Sequence, residues 1–562
     1  MESSSHSGRR KRHVYVLTAG LVLALLSAAP GAVHESAHAG AGGPTVCGGL
    51  EPDLAFEAEV ETIGHDHACD HLRGKRWSHG HQASARTSEA SSTTDVSASA
   101  TEVVAAAGTT PAEIGSWSAA INPGTKTVGI SAVLLHNGKV LLFGGKYKST
   151  DKNTAAYLFD PRTGTGHEVP APAAVFCGSV TQLSDGRVLS AGGALPVPKG
   201  IVDLWLFDPE TERWLRQPDT PLGRYYPTST RLADGRILIA AGNQLDGNTK
   251  NPTVEVYTPP PPGQTVGTLE VVGPKHVTNF YPTQWLMPDG NVLEVSGRNS
   301  AFLNPSVWGW TSLPLLPSPI GQGTAGLMMP SGPNGSNRVL SIGGNIKGVA
   351  QKRTFKFDYA NRSAGWSLGT PMPTPRAHMN VVQVPDGSAF GIGGNSANLY
   401  DQGQLQTMAY DPGTDTWTNM ATQTYRRAYH STAILLPDGR IMSAGDTGSG
   451  GGRQRIDYYS PPYMFRPRPE IVSAPGELSY GQSFDITTSG PTATKAVLMA
   501  PAATTHAVEM NARRVELAVT LTATGLRATA PSSGRIAPPG HYMLFTVTSG
   551  GTPSTATWVH ID

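Results

Sequence analysis

The feature that most constrains the fold is a phrase that recurs about every fifty residues: a turn, a short apolar strand and a glycine stop. In most copies Asp-Gly or Asn-Gly separates two apolar runs, which favours a β-hairpin with a type I′ turn and positive φ at both central residues. Seven hairpins at this spacing predict seven four-stranded blades, and hence a kelch-type β-propeller. The copies are residues 136–145, 184–193, 233–242, 288–297, 337–344, 385–394 and 437–445.

The rest of the chain extends this all-β prediction. A second phrase, an apolar strand that ends in proline, supplies outer strands at residues 157–161, 206–209, 256–259 and 410–412. After residue 463 the period stops, and the alternating strands that follow are typical of one β-sandwich. We therefore predict a seven-bladed propeller over residues 116–466 and an immunoglobulin-like β-sandwich over residues 467–562.

The N-terminal region has the pattern of an export signal. Four basic residues at 9–12 precede an apolar run at 14–29, which predicts a secretion signal within residues 1–39. The alternative is an uncleaved membrane anchor, although the run is shorter than the roughly twenty residues that a spanning helix needs. Residues 40–115 are rich in His, Ser and Ala and have few large apolar side chains, so we interpret them as a low-complexity linker. The mature protein is expected to be secreted or extracytoplasmic.

Charge excludes one class of partner. The chain has 43 Lys and Arg against 42 Asp and Glu. No basic excess is available to neutralise a phosphate backbone, so nucleic acid is not an expected partner.

One position of the repeat carries unusual side chains. It lies nine residues before the turn glycine, and in a radial array equivalent positions form a ring at the central channel. Tyr429 adds a further phenol beside this ring. Each side chain alone is explained by packing, but together they form an N, O and S set of the kind that suits Cu(II), whereas the dense spacing of a zinc site is absent. The ring residues are Cys177, Tyr226, Tyr281, His378 and His430.

At these residues the chain resembles the galactose oxidase and glyoxal oxidase family of mononuclear copper radical oxidases. The resemblance covers about residues 115–562 and joins both predicted domains. It is carried by residues 175–177, 223–227, 280–282, 427–430, 458–463 and 505–506.

The resemblance implies a role for each matching residue. Cys177 and Tyr226 would form the thioether-linked radical cofactor, Tyr226, His430 and His506 would be equatorial ligands of one copper ion per chain, and Tyr429 would be the axial ligand. The sandwich, similar to the C-terminal domain of galactose oxidase, would close the propeller from below with His506 reaching up the channel. Three further residues are expected around the ligands: Tyr225, Tyr281 and His378.

The chain departs from galactose oxidase in one respect. That enzyme stacks a Trp on the cross-linked ring from the loop that follows the strand, but residues 242–251 contain no Trp. Trp308 or Trp310 from a neighbouring blade, or Tyr225, are the candidates for this place. The departure favours a substrate other than galactose.

The ligand set also suits the two-electron oxidation of an alcohol. Oxidising an alcohol to an aldehyde removes two electrons, whereas Cu(II) accepts one, so a second one-electron store is needed. A phenol enriched by an ortho sulfur is such a store, and a divalent cation makes its phenolate available far below the free pKa of about 10. We predict an exported, monomeric oxidase that converts small aldehydes or primary alcohols with O2 to H2O2.

Two other functions are alternatives. One is a noncatalytic propeller that binds a glycan, against which the retention of every ligand position argues. The other is a hydrolase that uses the channel, but no Asp or Glu occupies the ring position.

The linker holds a second group of metal-binding residue types near Cys47 and Cys69. A disulfide between these two cysteines would leave Cys177 as the odd thiol, as a thioether partner should be. The histidines suggest copper capture during loading, or alternatively an incidental solvated tract. They are His65, His67, His71, His79 and His81.

Overall fold

The fold is taken from a computed structural model, which describes residues 104–105, 109–146, 154–194, 198–330, 332–396, 403–446 and 454–562. No helix within these ranges is long and apolar enough to cross a membrane. The apolar run 14–29, the linker histidines, Cys47 and Cys69 lie outside the described residues. The export signal, the anchor, the disulfide and the copper-capture hypothesis therefore stay predictions.

Seven antiparallel sheets form the propeller, and we number them as blades in chain order. The first strand of each blade contacts the first strand of the next, and the seventh returns to the first, so the ring is closed. This confirms the predicted all-β propeller. The strands are Thr127–Leu134, Val140–Lys146, Ala156–Asp160 and Thr165–Glu168 in blade 1; Ser179–Gln182, Val188–Ala191, Leu204–Asp208 and Arg213–Arg216 in blade 2; Thr228–Arg231, Ile237–Ala240, Glu255–Thr258 and Thr268–Val271 in blade 3; Thr283–Leu286, Val292–Ser296, Asn299–Asn304 and Gly309–Ser312 in blade 4; Ala325–Met328, Arg338–Ile342, Thr354–Asp358 and Ser367–Leu368 in blade 5; Asn380–Gln383, Ala389–Ile392, Gln404–Asp411 and Thr416–Arg427 in blade 6; and Ser431–Leu435, Ile441–Gly445, Asp457–Ser460 and Ser116–Trp117 in blade 7.

Blade 7 is completed by a strand from the chain segment that precedes blade 1. Its outermost strand, Ser116–Trp117, pairs antiparallel with Asp457–Ser460. A short segment of the predicted linker, Val104–Ala105, also pairs with blade 6. The sequence repeat did not indicate either pairing, because neither strand carries the turn phrase. The predicted domain limits at residues 40, 116 and 467 stay predictions.

The hairpin turns differ from the predicted type I′. The turn glycine has positive φ in the six Asp-Gly and Asn-Gly copies, whereas the preceding Asp or Asn does not. Gly186 N, for example, donates to Leu183 O, and Asp185 Oδ1 accepts from Arg187 N at 3.0 Å. These are three-residue loops with a type I turn, in which the Asp or Asn side chain caps the turn and only the glycine needs the left-handed region. The hairpins were correctly predicted and the turn type was wrong.

The C-terminal strands form the predicted β-sandwich of two sheets. Buried apolar side chains from both sheets pack in one cluster between them, among them Ile486, Leu498, Leu526 and Leu544. Alternation of apolar and polar residues along the strands places one face of each sheet inward. The sheets contain Glu470–Ser473, Ser483–Ser489, Gly525–Thr529 and Ala518–Thr522, and Glu477–Leu478, Thr557–Ile561, Gly540–Thr548, Ala493–Met499 and Arg514–Glu516.

A hairpin of the sandwich enters the propeller. Its strand Ala503–Thr505 pairs antiparallel with the innermost strand of blade 1, with Ser131 opposite Thr505. The remaining elements of the described chain are short: a hairpin of Asn345–Ile346 and Val349–Ala350, the hairpin strand Val508–Glu509, the α-helix Pro111–Ile114, and 3₁₀ turns at Tyr359–Ala364 and Pro462–Phe465.

Candidate metal centre

The predicted ring exists, and its five side chains share one backbone conformation. All five have positive φ, between 43° and 66°. Non-glycine residues rarely adopt this left-handed region, which costs of order 1–3 kcal/mol and is found most often at functional sites. The backbone strain is therefore concentrated at the position nine residues before the turn glycine, which the sequence analysis identified as the ring. The residues and angles are Cys177 at 59°, Tyr226 at 66°, Tyr281 at 43°, His378 at 54° and His430 at 65°.

Backbone hydrogen bonds connect this position from blade to blade. Tyr226 N donates to Cys177 O at 3.0 Å, and Tyr281 N donates to Tyr226 O at 3.1 Å. His378 N donates in the same way to Gly323 O at 2.8 Å. Gly323 has φ of 66°, and a Cβ on it would lie 2.3 Å from the His378 ring. Blade 5 thus contributes only backbone at this position, and the His378 ring occupies the space that a side chain would need.

His506 reaches the ring from the sandwich hairpin. His506 and Ala507 form its two-residue turn, with φ of 52° and 68°, between Thr505 and Val508. Positive φ at both central residues is the type I′ pattern. The imidazole lies at the tip of the hairpin, where Nε2 is 3.3 Å from Cys177 Sγ.

Thr505 sets the orientation of this imidazole. His506 Nδ1 lies 2.6 Å from Thr505 Oγ1, which donates its own proton to Ile130 O and accepts a hydrogen bond from Ser131 Oγ. With its proton given to Ile130, the Thr505 oxygen is an acceptor for Nδ1–H. The Nε2 lone pair is then directed into the centre, as a metal ligand requires.

The five predicted ligand and cofactor residues meet at one point. The donor atoms of Cys177, His430 and His506 lie within 4.8 Å of one another, and all three residues are buried. The hydroxyls of Tyr226 and Tyr429 are hydrogen-bonded to each other. The Tyr429 ring stacks on His430 with centroids 3.6 Å apart. Two imidazoles, two phenols and a thiol form a mixed N, O and S set that fits a borderline divalent ion such as Cu(II).

Aromatic rings enclose Tyr226. Tyr225 stacks on the Tyr226 ring with centroids 4.1 Å apart and an interplanar angle of 18°, and Tyr281 stacks with centroids 4.7 Å apart and an angle of 29°. Phe280 contacts the ring edge-on at 5.6 Å. Of the three candidates for stacking, Tyr225 is the one placed on Tyr226. The suggestion of a neighbouring Trp is wrong within the described residues: Trp310 stacks on His276, and Trp308 lies below the Arg236 guanidinium.

The other two predicted supporting residues are also at the centre. His378 lies against Tyr429 with centroids 4.6 Å apart. Tyr281 donates its hydroxyl proton to Gly178 O at 2.9 Å and so bridges blades 4 and 2. Each residue contacts the ring of a predicted ligand, His378 that of Tyr429 and Tyr281 that of Tyr226.

Burial keeps the acidic groups of the centre protonated. It raises the pKa of the Tyr226 phenol and of the Cys177 thiol well above their usual values. A nearby divalent cation reverses this preference, because it stabilises the anionic form directly. The centre is therefore built so that anionic ligands form when a metal enters.

A cavity of about 270 Å³ opens next to the centre. Tyr226, Tyr429, His378 and His506 are among the residues that line it. Phe280, 37% exposed, lines it as well. The volume admits a small organic molecule beside the ligand atoms.

Three buried arginines next to the ring were not predicted from the sequence. Each lies two or three residues before a ring residue and donates to a carbonyl at or just after the end of the second strand of the blade that follows: Arg224 to Ala241, Arg376 to Gly393 and Arg427 to Gly445. The signal was present as the recurring Arg before the ring position. These arginines fasten the strained segments to their blades. Two of them also pair with buried carboxylates, Arg224 with Glu255 and Arg427 with Asp457.

Comparisons with known proteins agree with this geometry. Residues 119–453 match the family model "Glyoxal oxidase N-terminus", and residues 468–561 match "Galactose oxidase-like, Early set domain". The chain is 25% identical over 487 residues to Aldehyde oxidase GLOX1 of Arabidopsis thaliana, covering 75% of this chain and 77% of that protein. It is 29% identical over 448 residues to Aldehyde oxidase GLOX of Vitis pseudoreticulata, covering 69% and 82%.

Two further matches extend the comparison. A WSC domain-containing protein of Arthroderma benhamiae is 28% identical over 487 residues, and the match covers 78% of this chain but only 51% of that protein. A solved structure described as a novel fungal alcohol oxidase of the AA5 family, in complex with copper, shares the fold. Its TM-score is 0.70 at 21% identity, covering 80% of this chain and 100% of that one. Because a family model matches more than half of its length, the chain belongs to the glyoxal oxidase family.

Proposed function

We propose that this protein is a copper-dependent oxidase that converts small aldehydes or primary alcohols, with O2, to H2O2. The convergence of Cys177, Tyr226, Tyr429, His430 and His506 on one buried point carries the proposal. The relatives named as aldehyde oxidases, and the fold of a copper alcohol oxidase, support it. The balance is one O2 reduced to H2O2 for each two electrons and two protons taken from the substrate.

Four residues would hold one copper ion: Tyr226, His430 and His506 as strong donors and Tyr429 as a weaker one. Bound copper would supply a one-electron acceptor and a Lewis acid for the substrate oxygen. The chain fixes the donors in advance, since positive φ orients Tyr226 and His430 and Thr505 holds His506. Preorganised donors bind a metal without the cost of ordering them.

The second electron would be stored on Tyr226 after cross-linking to Cys177. In that reaction a C–S bond forms between Sγ and the ring carbon ortho to the hydroxyl. The S–H and C–H bonds are lost as two protons and two electrons, which dioxygen accepts. The two side chains already pack in one buried cluster on adjacent blades. Stacking by Tyr225 and Tyr281 shields the ring from water.

Tyr429 would receive the substrate proton. Its hydroxyl faces that of Tyr226, and both residues line the cavity. As a phenolate, Tyr429 would accept the proton of a substrate hydroxyl bound in the cavity and become the neutral phenol. An aldehyde enters the same reaction as its hydrate, which presents a geminal hydroxyl.

We propose small hydrated aldehydes as better substrates than galactose. The ring that stacks on Tyr226 is Tyr225, and the loop 242–251 lacks the Trp of galactose oxidase. Cavity shape then decides between substrates that share one reaction.

The test is a peroxidase-coupled assay on copper-loaded, oxidant-activated protein with glycolaldehyde, methylglyoxal, galactose and glycerol. We expect glycolaldehyde to exceed galactose in kcat/KM, and Tyr226→Phe to abolish peroxide while the fold persists. A preference for galactose of about tenfold or more contradicts the substrate class. No peroxide from any substrate favours the noncatalytic glycan-binding alternative.

Export and a monomeric state belong to the same proposal. The basic and apolar pattern of residues 9–29 supports export. Mass spectrometry of the secreted protein, which defines its first residue, distinguishes a cleaved signal from an anchor.

A further inference from the structure

The loop that lacks the stacking Trp places a lysine in the cavity instead. Lys250 lies at the end of the loop 242–251 and forms an isolated antiparallel bridge with Asn243. The loop is ordered by its own hydrogen bonds: Asp246 Oδ1 accepts from Thr249 N at 2.9 Å, and Gln244 Nε2 donates to Lys250 O at 3.1 Å. Lys250 therefore has a fixed backbone at the cavity wall.

The ammonium group is held by two other residues of that wall. Lys250 Nζ donates to Asn279 Oδ1 at 2.6 Å and lies 5.7 Å from the centroid of the Phe280 ring. Both partners are uncharged. Among the described residues no carboxylate forms an ion pair with Lys250, although an ammonium has three protons to donate.

Lys250 is the single Lys or Arg among the described residues that line the cavity of about 270 Å³ next to the candidate metal centre, and no described Asp or Glu lines this cavity. The remaining wall consists of aromatic, imidazole, hydroxyl, amide and apolar groups. A second cavity, of about 470 Å³, shares Lys250, Asn279 and Ser296 with the first. Its acidic residue, Glu294, is already bound by His276 and Gln284, each at 2.8 Å.

This environment favours an anionic ligand. Lys250 is half-buried, so its ammonium has lost part of its hydration, and this burial lowers its pKa. A carboxylate would compensate for the lost hydration of the ammonium through a charge-assisted hydrogen bond. A neutral molecule would compensate for less of it.

We propose that Lys250 determines substrate specificity by binding a carboxylate, so that the preferred substrates are small aldehydes that also carry a carboxylate. Glyoxylate is the smallest member of this class. The inference rests on the proposed oxidase function, since it concerns the substrate of the same site. The carboxylate would be held at Lys250 while the hydrated aldehyde carbon faces Tyr226 and Tyr429.

The first test compares glyoxylate with glycolaldehyde, a neutral aldehyde of similar size. Lys250→Gln is expected to lower kcat/KM for glyoxylate by about tenfold, mainly through KM, and to change glycolaldehyde by less than about twofold. Lys250→Arg should recover most of the glyoxylate activity. Lys126→Gln, which removes an exposed lysine of blade 1, is the charge-matched control and should change neither.

Unchanged glycolaldehyde turnover shows that the Lys250→Gln variant is folded and metallated. Equal losses for both substrates, or no loss for glyoxylate, would overturn the inference.

The second test does not require turnover. Calorimetric titration of the metal-free protein with acetate should show binding in the wild type, a loss of about tenfold or more in Lys250→Gln, and no change in Lys126→Gln. Absence of acetate binding in the wild type overturns the inference. If acetate binds through Lys250 but no aldehyde is oxidised, the oxidase function fails while the anion site stands.

Discussion

The propeller and the sandwich bring side chains to the same centre by different means. Five blades use one repeated position, where positive φ orients the side chain and backbone hydrogen bonds link adjacent blades. The sandwich uses a single hairpin whose tip is His506. The ring residues are therefore fixed by the closure of the propeller, whereas His506 also depends on how the sandwich docks.

Apolar side chains of the two domains share one buried cluster, and polar contacts at the turn end of the blades add to it. Arg513 donates to Leu286 O at 3.0 Å, and Arg514 donates to Pro385 O at 3.0 Å. His560 Nε2 lies 3.1 Å from Ser184 O. A centre shared in this way is complete only when both domains are folded, so metal loading reports on their assembly.

The largest effect is expected from the residue that the sandwich contributes. His506→Ala removes a strong donor that no blade residue replaces, so we expect copper content to fall from one ion per chain to near zero. Metal analysis of the purified protein measures it, and His167→Ala, an exposed histidine of blade 1, is the matched control. Full copper occupancy in His506→Ala would mean that the ring alone forms the site.

The next largest effect is a difference in stability between variants of two buried arginines, Arg224 and Arg376, which precede ring residues. Arg224 pairs with Glu255, and both side chains are 0% exposed, whereas Arg376 donates to the carbonyls of Gly393 and Gln406. Removing Arg224 leaves a buried carboxylate without its cation, so Arg224→Met should cost about 3–5 kcal/mol of unfolding free energy, against about 1–3 kcal/mol for Arg376→Met.

Urea unfolding measures both arginine variants, with the exposed Arg213→Met as control. Equal costs would show that the ion pair adds nothing to the ring beyond hydrogen bonding.

The smallest effect concerns the pH dependence of docking. His541 of the sandwich stacks on His136 of blade 1 at 4.3 Å and lies 4.8 Å from His560. Burial, with the charges of His136, His560 and Arg231, lowers its pKa to about 4, and Asp185 opposes this shift. The ordinary value is about 6.5, so the unfolded chain binds the proton more readily.

Stability from His541 is thus fully present above about pH 6.5 and is lost as the pH falls toward 4. His541→Gln should reduce the drop in urea midpoint between about pH 7 and pH 4.5. The same drop in variant and wild type would assign the acid sensitivity to other groups.

The sequence predicted what repeats. Turn glycines at fixed spacing gave the seven blades, and counting back from them located Cys177, Tyr226 and His430. The same counting could not find His506, which does not occupy the repeat position and came from the family resemblance. Tyr429 was found as the neighbour of His430, and only its role as a ligand came from the resemblance. Strand Ser116–Trp117 was missed because pairing that closes a ring is a long-range contact without a local signal.

Two errors have local physical causes. The turn type was wrong because Asp-Gly serves both a type I′ turn and a three-residue loop, and the side chain of Asp185 stabilises the second. The suggestion of Trp308 or Trp310 was wrong because strand register, which the sequence does not give, places both in contacts away from Tyr226.

The covalent state of Cys177 and Tyr226 tests the central claim most directly. Mass spectrometry of protein loaded with copper in air, after reduction of any disulfide, should give a chain lighter than its sequence by two hydrogen atoms, and a proteolytic peptide that joins the two residues. Cys177→Ser should show the unmodified mass and lose activity. A free Cys177 thiol in fully active, copper-loaded enzyme would contradict the account.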